Sequence, residues 1–371
     1  MSVFERIRPR VEEIFDYLHR NPEISWEEYG TRDYLIPILE DLGCRVRRFE
    51  DHAGLVADYG DGPPTVAVRG DMDALWQEVD GSFRANHSCG HDAHMTVALG
   101  TLLYLREQKF TGNLRLLFQP AEEKGTGALK LMESHVLGGI THLYGTHLRP
   151  IQELRNGRAA PAILHGACSS IVGRIKGEDA HAGRPHLAHN AIEVGAVLVH
   201  RLQGIHLDPM IPHSMKLTQF QAGGSATNII PGSAQFSIDL RAQTNEAMQA
   251  LLERTFAVIK DTAQSFEVDI EFGQRMGTAA SEVHPEARDL MARAIREVIG
   301  AEGYHEPIVT GGGDDFHFYT IKQSQLKATM LALGCDLSPG LHHPKMTFER
   351  EALFTGIQIM ARAIGLTLGS T

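Results

Sequence analysis

Nine consecutive residues, Asn86-His87-Ser88-Cys89-Gly90-His91-Asp92-Ala93-His94, hold three histidines, a cysteine and an aspartate. Thiolate and imidazole are the usual ligands of zinc and its first-row neighbours. Cys89 and His91 stand one residue apart, with a glycine between them that permits a tight turn. Met95, Val97, Ala98, Leu99, Leu102, Leu103 and Leu105 follow at helical spacing. The cluster therefore sits at the entry of a helix. Taken alone, the nine residues fit a metal site or a polar helix entry with a buried free cysteine.

Three apolar runs each end in groups able to do chemistry. Thr65 to Arg69 leads to Asp71 and Asp73, Asn113 to Gln119 leads to Glu122 and Glu123, and His142 to Thr146 leads to His147. In open α/β sheets, ligands bind beyond the carboxyl ends of strands. A metal held there would polarise a carbonyl and activate a water, and a neighbouring carboxylate would carry the proton. Adjacent glutamates divide those roles if the backbone turns between them. A solvated pair of surface charges reads the same way in isolation.

The elements that must position these groups alternate between helix and strand, which argues an α/β sheet. From about Gly166 the texture changes to strand-helix-strand-strand-helix-strand, running to about Gly273. The organisation expected is a mixed-sheet catalytic domain with helices on both faces, residues 1–165 and 274–371. A smaller α+β domain, residues 166–273, interrupts it.

The chain has 371 residues and a formal net charge of -11, which disfavours nucleic acid or an anionic membrane as partner. Cys44, Cys89, Cys168 and Cys335 are scattered and read as reduced thiols. The first residues form an amphipathic pattern (Phe4, Ile7, Val11, Ile14, Phe15, Leu18) rather than a secretion core, and no apolar run reaches membrane-spanning length. A cytoplasmic protein is expected.

The chain resembles the dinuclear-metal aminoacylase and peptidase superfamily, in the amidohydrolase branch that holds hippurate hydrolases, N-acyl-amino-acid amidohydrolases and auxin-conjugate hydrolases. The resemblance runs nearly the full length, through Leu18 to Glu23, Arg69 to Leu75, His87 to His94, Phe118 to Glu123, Gly145-Thr146-His147, His181-Ala182-Gly183, Gly223 to Pro231 and Leu341-His342-His343-Pro344. It implies that Cys89, His91, Glu123, His147 and His342 hold two divalent ions (zinc, manganese, cobalt or nickel). It makes Glu122 the general acid/base and Asp73 the group that orients a ligand. Asp71 falls where related peptidases carry a metal histidine. The inserted domain corresponds to a lid and dimerisation surface, so a homodimer is expected. His181 corresponds to a lid histidine that stabilises the oxyanion, often in the partner's site.

Asn228 offers a polar contact in the glycine-rich loop, and Arg241 could clamp a substrate carboxylate, although a surface arginine reads alike. Three positions depart from the family pattern. Trp76 and a short 77–85 link replace a proline and a longer loop, Asp314 stands for a glutamate, and His343 follows His342. The function expected is hydrolysis of N-acyl amino acids. A dipeptidase or aminopeptidase, or a non-catalytic binder of acylated amino acids, are the alternatives. A closed structural zinc site has four ligands, fewer than the five candidates here.

Overall fold

The computed structural model describes residues 2–275 and 277–369. The chain forms two compact units: one holds residues up to Leu164, Glu282–Val309 and those from Asp314 on, the other His165–Ser281 with Thr310–Gly313. The second unit thus extends eight residues past Gly273. Cys168 N donates to Thr278 O at 3.0 Å and Ser281 N to His165 O at 3.0 Å, which ties the 277–281 stretch to it.

The first unit is built on a seven-stranded sheet. Its spatial order is Arg45–Arg48, Leu55–Tyr59, Leu114–Gln119, Val66–Asp71, His142–Pro150, Lys327–Leu337 and Ala159–Ala160. The four strands from Leu114–Gln119 to Lys327–Leu337 run parallel; the outer pairings are antiparallel. Alternate residues along these strands face opposite layers, as the pleat requires. Val66, Val68, Leu116, Phe118 and Tyr144 pack with helices α1 (Val3–Arg20), α2 (Tyr29–Asp41) and α3 (His91–Glu107). Ala67, Leu117, Leu143 and Met330 pack with Ala128, Leu131, Phe316 and Tyr319 on the other side. Both faces are covered by helices, and the sheet is mixed.

The second unit is a four-stranded antiparallel sheet, in the order His213–Ala222, Ser233–Ala242, Ala167–Lys176, Asp269–Arg275. Helices Ala191–Leu202 and Asn245–Ser265 share one core with it through Val194, Leu198, Leu251 and Ile259. Among the described residues no helix is long and apolar enough to cross a membrane.

One element departs from the sequence reading. The 77–85 link is a β-hairpin, Leu75–Val79 against Ser82–Asn86. Asp80 and Gly81 form its turn with φ of 51° and 83°, the Asp-Gly arrangement whose twist matches paired strands.

Candidate metal centre and catalytic glutamate

Each chemical group leaves the carboxyl end of one of the four parallel strands or enters at the start of α3. Asp71 ends its strand and Asp73 follows two residues later; Glu122 and Glu123 follow Gln119; His147 lies late in its strand and His342 follows Leu337. Gly90 caps α3 in the left-handed region, at φ 87°, which turns the chain sharply between Cys89 and His91.

Asp73 is the hub. Its carboxylate accepts His91 Nδ1–H at 3.1 Å, Glu122 N–H at 3.1 Å, Glu123 N–H at 3.0 Å and Ser25 Oγ–H at 2.6 Å. Burial alone would raise its pKa; the bonds from His91 and the others outweigh burial and hold it below the usual value. With its Nδ1–H on Asp73, His91 directs the Nε2 lone pair into the site. His147 is oriented similarly, its Nδ1 donating to Leu148 O at 2.8 Å.

Two groups of ligand atoms converge, and they share one member. Cys89, His91 and His147 bring ligand atoms within 4.8 Å of one another, and so do Cys89, Glu123 and His342. Cys89 Sγ is 3.8 Å from His147 Nε2, and His342 Nε2 is 3.3 Å from Glu123 Oε1. His342 N–H donates to Ser88 O at 2.7 Å, which ties its loop to the Cys89 segment. His343 turns elsewhere, its Nδ1 accepting Lys345 N–H at 3.1 Å. The hairpin helps hold this loop: Gln77 Nε2 donates to His342 O at 3.0 Å and Asn86 Nδ2 to Pro344 O at 3.1 Å.

Glu122 Oε2 lies 3.7 Å from His91 Nε2 and Glu123 Oε1 lies 3.9 Å from it. Burial pushes the Glu122 carboxyl well above the usual range, and the charges of Asp314, Glu123 and Asp315 add to the effect. Burial likewise raises the Cys89 thiol, with Glu123 contributing.

These residues fit a bound cation. His91 Nε2 is buried and has no hydrogen-bond partner. Such atoms are costly unless something takes their lone pairs. A thiol, imidazoles and a carboxylate make a donor set suited to first-row divalent ions, and a cation there would draw the thiol to its thiolate form.

Two other acid clusters are differently employed. Arg69, fully buried, reaches Asp71 at 2.5 Å, Asp315 at 3.0 Å and Asp314 at 3.3 Å. His94 uses both ring nitrogens, Nδ1 on Asp71 at 2.7 Å and Nε2 accepting Leu148 N–H at 3.1 Å. Asp71, Asp314 and His94 therefore form a buried support beneath the site, and His94 keeps no lone pair for a metal.

In the second unit, His181 and Asn228 are brought together. His181 pairs with Ile229, and Ala182 N–H donates to Asn228 O at 2.9 Å. His181 Nδ1 accepts Gly183 N–H at 2.9 Å, so the proton of its neutral ring sits on Nε2. Arg241 is not with them. It lies near the far end of Ser233–Ala242 from that loop, and its Nε and Nη2 donate to Asp239 at 2.9 and 3.1 Å. A carboxylate clamp at Arg241 would have to break this pair.

Sequence reasoning missed Ser25, Glu28, Arg69, Gln119 and Asp315. Glu28 Oε1 accepts Ala121 N–H at 2.8 Å, and Gln119 Nε2 donates to Asp315 at 2.7 Å. No local spacing marks any of them; they meet the site only through tertiary structure.

The sequence profile of peptidase family M20/M25/M40 matches residues 67–365. The chain belongs to this family. It is 32% identical to an N-acetyldiaminopimelate deacetylase of Streptococcus pneumoniae serotype 19F, over 92% of this chain and 94% of that protein. It is 29% identical to a probable hydrolase of Synechocystis sp., over 98% and 96%. Among solved structures, a dinuclear metal binding peptidase of the M20 family from Bacillus subtilis superposes with a TM-score of 0.81 at 24% identity, covering 99% of this chain and 100% of that one. This member of the family is a metal-dependent amide hydrolase.

Proposed function

We propose that the protein removes the acyl group from N-acyl amino acids, with Cys89, His91, Glu123, His147 and His342 holding two divalent ions. The observation that carries this reading is the sharing of Cys89 by two ligand triads, with Glu122 beside them. Zinc, manganese, cobalt or nickel bound there would polarise the scissile carbonyl and make water acidic enough to attack near neutral pH.

Glu122 takes the proton of the attacking water and delivers it to the leaving nitrogen. Its carboxylate stands beside the candidate ligands, 3.7 Å from His91 Nε2, where a group that must both accept and return a proton is needed. Asp73 fixes His91 and the backbone of both glutamates, so that Glu122 and Glu123 keep separate tasks. The inserted unit serves as lid and dimer surface, bringing His181 Nε2–H to the developing oxyanion in its own site or the partner's. Asn228 contributes a polar contact beside it. Arg241 would hold a substrate carboxylate by exchanging its exposed pair with Asp239.

The substrate class is supported by the relatives named N-acetyldiaminopimelate deacetylases, whose substrate is an N-acylated amino acid. The test is a panel. Metal-stripped protein receives each of the four ions and is offered N-acetyl amino acids, N-benzoyl amino acids and dipeptides with a free amine. Release of acetate or benzoate, without dipeptide cleavage, is expected. Cleavage of the dipeptides alone would replace this reading with a peptidase one, and full activity in metal-free protein would refute the metal.

A further inference from the structure

The segment between α1 and α2 carries none of the groups assigned above to metal or proton chemistry, yet two of its side chains end in the site. Ser25 Oγ donates to Asp73 Oδ2 at 2.6 Å, and Glu28 Oε1 accepts Ala121 N–H at 2.8 Å. The backbone is fastened as well. Ala74 N–H donates to Glu23 O at 2.7 Å, and Ile24 bridges Ala74. The Glu23 carboxylate accepts Gly30 N–H at 3.0 Å and Thr31 N–H at 2.7 Å, which closes the segment onto the first turn of α2.

Glu28 is a costly residue to place where it is. It is fully buried, its Oε2 has no partner, and burial with the nearby charge of Asp73 pushes its carboxyl up to about 8. An apolar side chain would fill the same space without that penalty. What only an acceptor can do there is hold Ala121, whose backbone is left-handed at φ 53° and ψ 41°. That conformation is disfavoured for a residue with a Cβ and persists where neighbours enforce it.

Two carboxyl groups thus take three successive amides: Glu28 takes that of Ala121, and Asp73 takes those of Glu122 and Glu123. The far side of the turn is equally closed, since a Cβ on Gly127 would sit 1.6 Å from Pro120 O. The result is a reversal that presents both adjacent glutamates to the metal cluster, Glu122 Oε2 at 3.7 Å from His91 and Glu123 Oε1 at 3.3 Å from His342.

We infer that Ser25 and Glu28 are positioning residues for Glu122, bracing Asp73 and the Ala121–Glu123 turn in the conformation that delivers the acid–base carboxylate. This rests on the role given to Glu122, and the experiment separates the two claims. Glu28→Met keeps the volume and removes the acceptor; Glu28→Gln keeps the acceptor and removes only the capacity to ionise.

Both are assayed as metal-loaded enzyme on an N-acetyl amino acid, with kcat, KM and metal content measured. Glu28→Met should lose about 100-fold in kcat, the cost of a small misplacement of a reacting group, with KM and metal content close to those of the wild type. Glu28→Gln should return most of the lost kcat. A wild-type kcat in Glu28→Met overturns the inference, and so does an equal loss in Glu28→Gln. If Glu122→Gln, run alongside, keeps full activity, the role of Glu122 has failed; if only Glu122→Gln is inactive, the brace has failed. Should Glu28→Met not fold, Ser25→Ala carries the test. It should lose about tenfold in kcat, the scale of one hydrogen bond to a charged group, at unchanged metal content, and an unchanged kcat overturns the inference.

Discussion

Replacing Glu28 by glutamine should make the protein's stability less sensitive to pH, by an amount that follows from the burial of this side chain. The carboxyl is raised from 4.5 to about 8, first by burial and then by Asp73. A folded state that holds a proton more tightly than the unfolded chain is favoured at low pH. Below about pH 4.5 both states are protonated and nothing is lost; as pH rises towards about 8 the unfolded state ionises first, and stability falls. At about 1.36 kcal/mol per unit, the full shift costs about 5 kcal/mol, of which roughly 3 falls between pH 5 and pH 8. The side chain is fully buried, so solvent screening takes little from this figure. Glutamine cannot ionise, so the stability of Glu28→Gln minus that of the wild type should grow by roughly 3 kcal/mol over that interval. Groups not coupled to Glu28 cancel in the difference, and Asp73, held below its usual value, stays ionised across the interval. Urea unfolding followed by tryptophan fluorescence is the assay, with both proteins stripped of metal. The two tryptophans, Trp26 and Trp76, both lie in the unit that contains Glu28. A difference that stays constant from pH 5 to pH 8 would mean that Glu28 is charged in the folded protein, and the reasoning would fall.

Further outcomes are expected. Glu122→Gln should retain metal and lose about two to four orders of magnitude in turnover, while Glu123→Gln should lower metal content; equal metal loss in the two variants, read by elemental analysis, would refute the division of labour. Cys89→Ala should reduce occupancy at both positions, because both triads include Cys89, whereas Cys168→Ala should bind metal as the wild type does. His181→Ala should lose turnover by about two orders of magnitude or more, as for an oxyanion donor, with metal unchanged. Mixing inactive His181→Ala with inactive Glu122→Gln chains should restore activity if the histidine acts across a dimer, and sedimentation should give twice the chain mass; subunit exchange without restored activity would rule out sharing.

The candidate site residues on the sheet were legible because they sit at boundaries that sequence marks well. Asp71, Glu122 and His147 lie at or near the ends of apolar runs, and His91 opens a strongly periodic helix. The sheet could be read for the same reason, since its central strands are continuous apolar stretches covered on both faces. The support was not legible. Arg69 looks like an ordinary charged residue within a strand, and only the fold brings Asp314 and Asp315 to it from some 245 residues away. Ser25 and Glu28 lie in a stretch without periodicity, so nothing local distinguishes them from solvated loop residues. The Asp80–Gly81 hairpin is a different case. Its turn dipeptide was present in the sequence and its flanking residues alternate, but a run of mixed polarity gave no apolar strand to look for.

The two ligand triads differ in when they can come into being. Cys89, His91 and His147 all belong to the first 150 residues, whereas the triad of Cys89, Glu123 and His342 waits for a residue nearly 200 positions later. The inserted unit fills most of that interval. On a ribosome adding about 5–20 residues per second, the gap is on the order of ten to forty seconds. During that time the growing chain does not yet have the strand Lys327–Leu337, which pairs with His142–Pro150, or the histidine beyond it. One candidate triad thus lies within a stretch of about 60 residues (on the order of one helix-strand-helix-strand run), and the other spans most of the chain. The second candidate triad is therefore complete only when residues from both sides of the inserted unit are present.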